Sequence, residues 1–356
     1  MRVPVTQGGQ SEATVGQEWL PRTNGLGTWE TREPLAGMGR VFGSVPEGIL
    51  HPWKIEEMTV VHRYLLWRLA ARAVLMGSFC AAVTAVLAGE RKFEVSFQHN
   101  VMVPMRDGVR LATDVYLPAA GGKPLAARVP AILMRIPYGK GQGEKGHSDG
   151  RYFARFGYAV VFQDTRGRFD SEGTWHMLTD DGPDGQDTAD WIARQPWSSG
   201  KIGMIGTSYV GGTQHALAMA HSPHLATVIP VDAMSNLGYA SMRNGGAFEL
   251  RFWNWIMLNA GRGSSYARDP GLRAVLGEMA DNRISYLFNL PLRRGTTPLK
   301  LAPEYEQWLV EAMRHGGNDD FWRQNAIIDR PQQYQDIPVY LVGGWYDSWA
   351  GNTTAN

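Results

Sequence analysis

The hexapeptide Gly206-Thr207-Ser208-Tyr209-Val210-Gly211 narrows the folds open to this chain more than any other segment. It follows a short apolar run, 201–207, that reads as a strand, and it opens a run, 209–220, that reads as a helix. This is the setting of a nucleophile elbow of the Gly-x-Ser-x-Gly kind. The glycines allow a sharp bend and a close approach of helix to strand, while the serine is thrust outward at the turn. The helix N-terminus there also favours developing negative charge. Ser208 is therefore the candidate nucleophile, and the chain must supply a strand-turn-helix unit to present it.

The flanking sequence has the alternation such a unit needs. Segments 101–105 and 109–117 bracket Asp107-Gly108, a strong hairpin signal. Runs 129–136, 158–163, 226–231 and 337–342 read as strands, and 184–195 as an amphipathic helix stopped by Pro196. Strands alternating with helices predict βαβ units, a mainly parallel sheet and helices on both faces. Catalytic groups then belong at the carboxyl ends of the strands. The expected fold class is α/β, an α/β-hydrolase fold, with its core at 92–235. The strand pattern vanishes over 236–335, where 253–258, 276–279 and 305–313 read as helices. That stretch is expected to form a helical cap over the site. Residues 336–356 return to the core and leave it incomplete.

The first 91 residues read differently. Residues 1–57 are rich in Gly, Pro, Glu, Arg and Thr without periodicity, and suggest a disordered leader or translation upstream of the true start. From Met58 the pattern is that of a signal peptide. His62, Arg63, Arg68 and Arg72 form a basic region, 73–89 is free of charge, and Val86-Leu87-Ala88 precedes Gly89. The run is short for a membrane span. A secreted or periplasmic protein is expected from 58–88, with membrane anchoring or a cytoplasmic location as alternatives. The single cysteine, Cys80, lies in this run and excludes an internal disulfide. It reads as apolar filler, since Phe79 stands where a lipobox wants a small residue.

A net charge of +1, with both signs mixed along the chain, gives no electrostatic case for nucleic acid. Asp180, Asp181, Asp184 and Asp187 read as charges at a helix N-terminus rather than metal ligands. No metal or cofactor is expected. Arg166 reads as a structural residue whose guanidinium fixes loops through forked hydrogen bonds.

A serine hydroxyl needs a base, and the base needs an orienting carboxylate. Asp347, in Gly343-Gly344-Trp345-Tyr346-Asp347 just past the strand at 337–342, is the candidate acid. In this fold the order is Ser, acid, His, yet none of the nine histidines follows Asp347. His215, His221 and His224 fall on or beyond the helix leaving the elbow and point away from its cleft. His315, in the expected cap, is the internal candidate. The simpler expectation is a C-terminally truncated chain that ends before its catalytic histidine. For the oxyanion, the backbone N–H of Tyr209 is a donor by position. Tyr138, after the strand ending Arg135-Ile136-Pro137, is either a second donor or a packed aromatic. Asp232 and Glu249 are possible anchors for a substrate amine, although 235–238 carries no acidic pair.

Six motifs occur in order: 105–109 (Met-Arg-Asp-Gly-Val), 135–138 (Arg-Ile-Pro-Tyr), 163–167 (Gln-Asp-Thr-Arg-Gly) with 171–173 (Ser-Glu-Gly), 195–197 (Gln-Pro-Trp), the elbow, and 344–347 (Gly-Trp-Tyr-Asp). Together they resemble the CocE/NonD family, which groups cocaine esterase, α-amino-acid ester hydrolases and Xaa-Pro dipeptidyl-peptidases. The resemblance covers about 92–356. It implies an α/β-hydrolase core, a helical cap and a C-terminal β-sandwich, the last with no counterpart in this chain. It also implies that Tyr138 lends its hydroxyl to the oxyanion hole. The expected activity is cleavage of a carboxylic ester or amide through an acyl-enzyme on Ser208, on a small-molecule ester or short peptide. The family alternatives are an Xaa-Pro dipeptidyl-peptidase and an α-amino-acid ester hydrolase. The missing histidine leaves a non-catalytic hydrolase-like binding protein as the alternative of another class. No stable membrane partner is expected beyond export.

Overall fold

A computed structural model of the chain describes residues 92–141, 147–289, 291, 293–323 and 326–356. The leader, signal-peptide and Cys80 readings lie outside the described residues. Seven strands form one sheet: β1 (Glu94–Pro104), β2 (Arg110–Ala120), β3 (Lys123–Pro124), β4 (Val129–Ile136), β5 (Ala159–Asp164), β6 (Ser198–Ser208) and β7 (Leu225–Ala233). The order is β1-β2-β5-β4-β6-β7, with β3 on β2. Strands β5, β4, β6 and β7 are mutually parallel, while β1 and β2 run antiparallel at one side. Residues 337–342, expected as a strand, run parallel beside β7 but meet it only at two isolated bridges, Val228–Val339 and Val231–Val342. The mainly parallel α/β sheet is thus the one the alternation implies.

Two-residue periodicity splits the core between the faces. Leu133, Val161, Ile202, Met204 and Val228 pack on one side with Ala189 and Ile192 of α2 (Asp181–Ala193) and Leu217 of α3 (Tyr209–Met219). Met134, Val160 and Phe162 pack on the other with Ala154 of α1 (Ser148–Arg155). Strand β5 is buried at every position, as a central parallel strand is. Strand β1 begins well before the hairpin read at 101. A bulge between Gln98 and Val101, with Asn100 at φ 54°, shifts the register and breaks the alternation that marks a strand.

Between residues 236 and 335 the described chain holds mainly helices: α4 (Leu237–Ala240), α5 (Leu250–Gly261), α6 (Pro270–Asp281), α7 (Pro303–Arg314) and α8 (Asp320–Arg323); α9 (Ala350–Ala355) follows. A two-stranded hairpin, β8 (Arg243–Asn244) with β9 (Ala247–Phe248), was not expected there. Its turn is Gly245-Gly246 at φ 57° and 85°, too short a unit for alternation to show. Asp269 caps α6 by accepting from Leu272 N at 2.9 Å. At Gly261 a Cβ would stand 2.3 Å from the Leu276 carbonyl, so only glycine lets α5 and α6 close up. This layer packs on aromatic residues, with Trp175, Trp253, Tyr305 and Trp322 buried in one cluster that also takes in Tyr209 at the start of α3. This segment is therefore seated at the end of the sheet that carries Ser208.

Candidate active site

Strand β6 ends on Ser208 and α3 begins one residue later. Ser208 sits at φ 66°, ψ −123°, a conformation that costs a non-glycine residue about 1–3 kcal/mol and persists only where its surroundings impose it. The surroundings here are two missing side chains. A Cβ on Gly206 would meet Val210 Cγ1 at 2.3 Å, and one on Gly211 would meet Ala233 Cβ at 2.5 Å. The second glycine thus stands one position later than in Gly-x-Ser-x-Gly, because here it must clear β7 while Val210 packs under the turn.

Tyr209 is the first helical residue, so the α3 ladder leaves its N–H without an intrahelical acceptor. Its ring is buried, and its hydroxyl donates to Asp181 Oδ2 at 2.8 Å and accepts from Leu178 N at 3.1 Å. Burial, then the Asp181 charge, pushes the phenol well above the ordinary tyrosine range. Tyr138 follows β4 and enters the same site. Its hydroxyl accepts from Trp255 Nε1 at 3.3 Å, and both Tyr138 and Ser208 line one cleft. Burial raises its pKa; the Trp255 bond, the nearby Ser208 hydroxyl and the Arg168 charge work against that rise. The turn after it is pinned, with Lys140 N donating to Asp164 Oδ1 at 2.6 Å and Lys140 Nζ reaching Asp164 at 3.2 Å and Asp170 at 3.0 Å. Burial pushes Asp164 up to about 6 against the pull of Lys140.

Trp255 of α5 joins these pieces, and sequence reasoning gave it no role. Its ring stacks on Tyr209 (6.1 Å, 15° between planes) and stands edge-on to Tyr138 (6.3 Å, 89°). Ser208, Tyr138 and Trp255 line a cleft of about 620 Å³ with Met234, Phe252 and Trp349. Its charged lining residues are Arg168, Arg251 and Arg262. Arg168 was also missed. It stands two residues beyond Arg166, between the two halves of that motif, and nothing in the sequence marks it out.

Asp347 lies in the loop between the strand at 337–342 and α9. Its Oδ1 accepts from Trp349 N at 2.6 Å, which turns the chain so that Trp349 faces the cleft. Asp232 and Glu249, the candidate amine anchors, do not line it. Asp232 accepts from Gly344 N at 3.0 Å, tying β7 to the loop that carries Asp347. Glu249 is paired with Arg251 and bonded by Asn244. Arg166 does fork between carboxylates, to Asp107 at 2.7 Å and Asp184 at 2.6 Å. Asp181 takes Arg135, Asp187 takes Arg106 and Asp180 takes His176. Among the described residues no group of acidic, His or Cys side chains could hold a metal ion.

None of the described histidines lines the cleft. His215 meets Tyr334 Oη at 3.0 Å, and burial lowers it to about 4. His224 faces Asp190 at 3.3 Å, and His221 ends the α3 turn at φ 55°. His315 lies 2.6 Å from Asp319 with its ring stacked on Phe321, so the internal candidate is committed to the cap.

The chain is 34% identical over 274 residues to cocaine esterase from Rhodococcus sp. (strain MB1 Bresler), an alignment covering 72% of the chain and 45% of that esterase. The chain thus spans less than half the length of this relative. Among solved structures, an α-amino acid ester hydrolase superposes with a TM-score of 0.54 at 25% identity, over 75% of this chain and 45% of that one. An aminopeptidase from a marine sediment Thaumarchaeota archaeon shares the fold, with a TM-score of 0.53 at 24% identity over 74% of this chain and 46% of that one. Residues 107–356 match the family described as X-Pro dipeptidyl-peptidase (S15 family). With its strand-turn-helix elbow at Ser208 and its helical layer in that family's span, the chain belongs to the X-Pro dipeptidyl-peptidase (S15) family.

Proposed function

We propose that the full-length protein is a serine hydrolase that cleaves small carboxylic esters through an acyl-enzyme on Ser208. The observation that carries this reading is the meeting of the Ser208 and Tyr138 side chains in one cleft, with the Tyr209 N–H at the first position of α3, next to Ser208. Ser208 Oγ attacks the carbonyl carbon. Its proton passes to an imidazole supplied by a residue outside those described, oriented by Asp347. Tyr209 N–H and Tyr138 Oη–H donate to the oxyanion, each worth about 2.7–4 kcal/mol in the transition state. The imidazolium protonates the departing alcohol, and water then releases the acid.

Esters are favoured over Xaa-Pro peptides and α-amino esters by charge. Those two substrate classes bring an ammonium group, and its recognition calls for carboxylates. The charged residues lining this cleft are arginines, and Asp232 and Glu249 are engaged elsewhere. That cocaine esterase is a relative supports the same choice. Replacing Ser208 with Ala in the full-length protein should abolish p-nitrophenyl ester turnover. It should also abolish labelling by an organophosphonate. Retained turnover, or faster cleavage of Xaa-Pro p-nitroanilides than of esters by the wild type, would count against the proposal. Absence of labelling in the wild type would favour a non-catalytic binding protein instead. We also propose export, supported by the 58–88 pattern; N-terminal sequencing of the mature protein should find Gly89 first. Among the described residues no helix is long and apolar enough to cross a membrane.

A further inference from the structure

Three arginines in and beside the motif segments are largely withdrawn from water, and one is held unlike the others. Arg135 pairs with Asp181 at 3.0 Å, and Arg166 with Asp107 and Asp184. Arg168 is 1% exposed and makes five hydrogen bonds, all to uncharged acceptors. Its Nε donates to the Pro137 carbonyl at 2.7 Å. Nη1 donates to the Asn259 carbonyl at 2.6 Å and Tyr305 Oη at 2.7 Å. Nη2 donates to Asn259 Oδ1 at 3.0 Å and the Arg262 carbonyl at 2.6 Å.

Burying a charge without a counter-charge is costly, and the cost can be met by hydrogen bonds and oriented dipoles. The carbonyls at the end of α5 supply part of that compensation. They leave the positive charge in place, at the wall of the cleft that holds Ser208 and Tyr138. The Pro137 carbonyl it grips belongs to the peptide bond that leads into Tyr138. A clamp for carbonyls alone could be built from a neutral amide. A cation there acts on whatever negative charge forms nearby, in surroundings that screen it poorly.

We propose that Arg168 is a positioning residue for the oxyanion hole: by holding Pro137 and placing behind Tyr138 a positive charge whose hydrogen-bond acceptors are all uncharged, it aims the Tyr138 hydroxyl and strengthens its hydrogen bond to the oxyanion. Arg168 need not touch the substrate, because it acts through Tyr138. The inference rests on the reading of Ser208 and Tyr138 given above.

The test is a double-mutant cycle in the full-length protein, with Y138F, R168M, R168K and Y138F/R168M. Substrate is a p-nitrophenyl ester, and an arylboronic acid that adds to Ser208 serves as the tetrahedral probe. R168M should lower kcat by about 10- to 100-fold, weaken the boronate by a similar factor and leave KM within about threefold. R168K keeps the charge and loses the fork, so it should recover part of the loss. Placed on Y138F, R168M should cost no more than about threefold further, since the group it acts through is gone. Equal losses from R168M in both backgrounds, or a loss confined to KM, would overturn the inference. If R168M does not fold, the R168K and Y138F/R168K pair is read by the same criteria. Ser208→Ala separates the two levels: turnover surviving in it sinks the site, whereas an inactive S208A with an additive cycle sinks only the role of Arg168.

Discussion

Ser208 is aimed by what its neighbours lack. The clash that a methyl group at 211 would make with Ala233 sets a prediction at this scale. Gly211→Ala should destabilise the protein by about 1–3 kcal/mol, read as a lower urea midpoint, because helix and strand must part to admit it. Tyr138→Phe tests the other side of the reacting centre. The ring keeps its edge on Trp255 while the hydroxyl is lost, so kcat should fall by about 10²–10³ with an unchanged circular dichroism spectrum. How much of the site was legible in sequence follows from how local each residue's task is. Ser208 and Tyr209 could be read directly, since an elbow is made within six residues. From its own position Tyr138 read as either donor or packed aromatic, and only the family resemblance implied the donor; its place in the cleft depends on the pairing of β4 with β6, which no local pattern shows. Asp232 looked like a free carboxylate because its partner, the Gly344 amide, is far along the chain. Arg168 gave no signal at all, its acceptors being scattered over residues 137, 259, 262 and 305.

At the scale of elements, the decisive contact is between α5 and the elbow. Trp255, on a helix of the 236–335 segment, touches both Tyr138 and Tyr209, so on the proposed reading this segment helps build the reacting centre. Trp255→Phe should keep the stack on Tyr209 and lose the indole N–H to Tyr138 Oη. The expected result is a loss of about 3- to 10-fold in kcat, since one neutral hydrogen bond is worth about 0.5–1.5 kcal/mol. Unfolding should shift little, and steady-state kinetics beside a denaturation curve would check both. The helices of the insertion were visible in sequence because a 3.6-residue apolar period survives in α5, α6 and α7. The β8–β9 hairpin and the first half of β1 were not, since two-residue strands and a bulge leave no period to detect.

Across the whole molecule, His215 couples the fold to pH. It is buried on α3 against Tyr334, and its Nε2 finds no hydrogen-bond partner. Burial lowers the imidazole from 6.5 to about 4, so the folded chain binds this proton less tightly than the unfolded chain does. The sign follows directly: this group leaves stability untouched above pH 6.5 and erodes it as pH falls towards 4, by up to about 3 kcal/mol. His215→Leu should flatten the fall in urea midpoint between pH 7 and pH 4.5, and an unchanged slope would assign it to other groups. The bond from Gly344 N to Asp232 Oδ1 has a consequence of another kind. Gly344 is exposed, in a loop without helix or strand pairing, where an amide hydrogen would ordinarily trade with solvent within moments. Held by a carboxylate on β7, it should exchange slowly, and it should speed up once Asp232 is replaced by Ala. The isotope clock of that single amide would then report how long Asp347 stays where the neighbouring strand has put it.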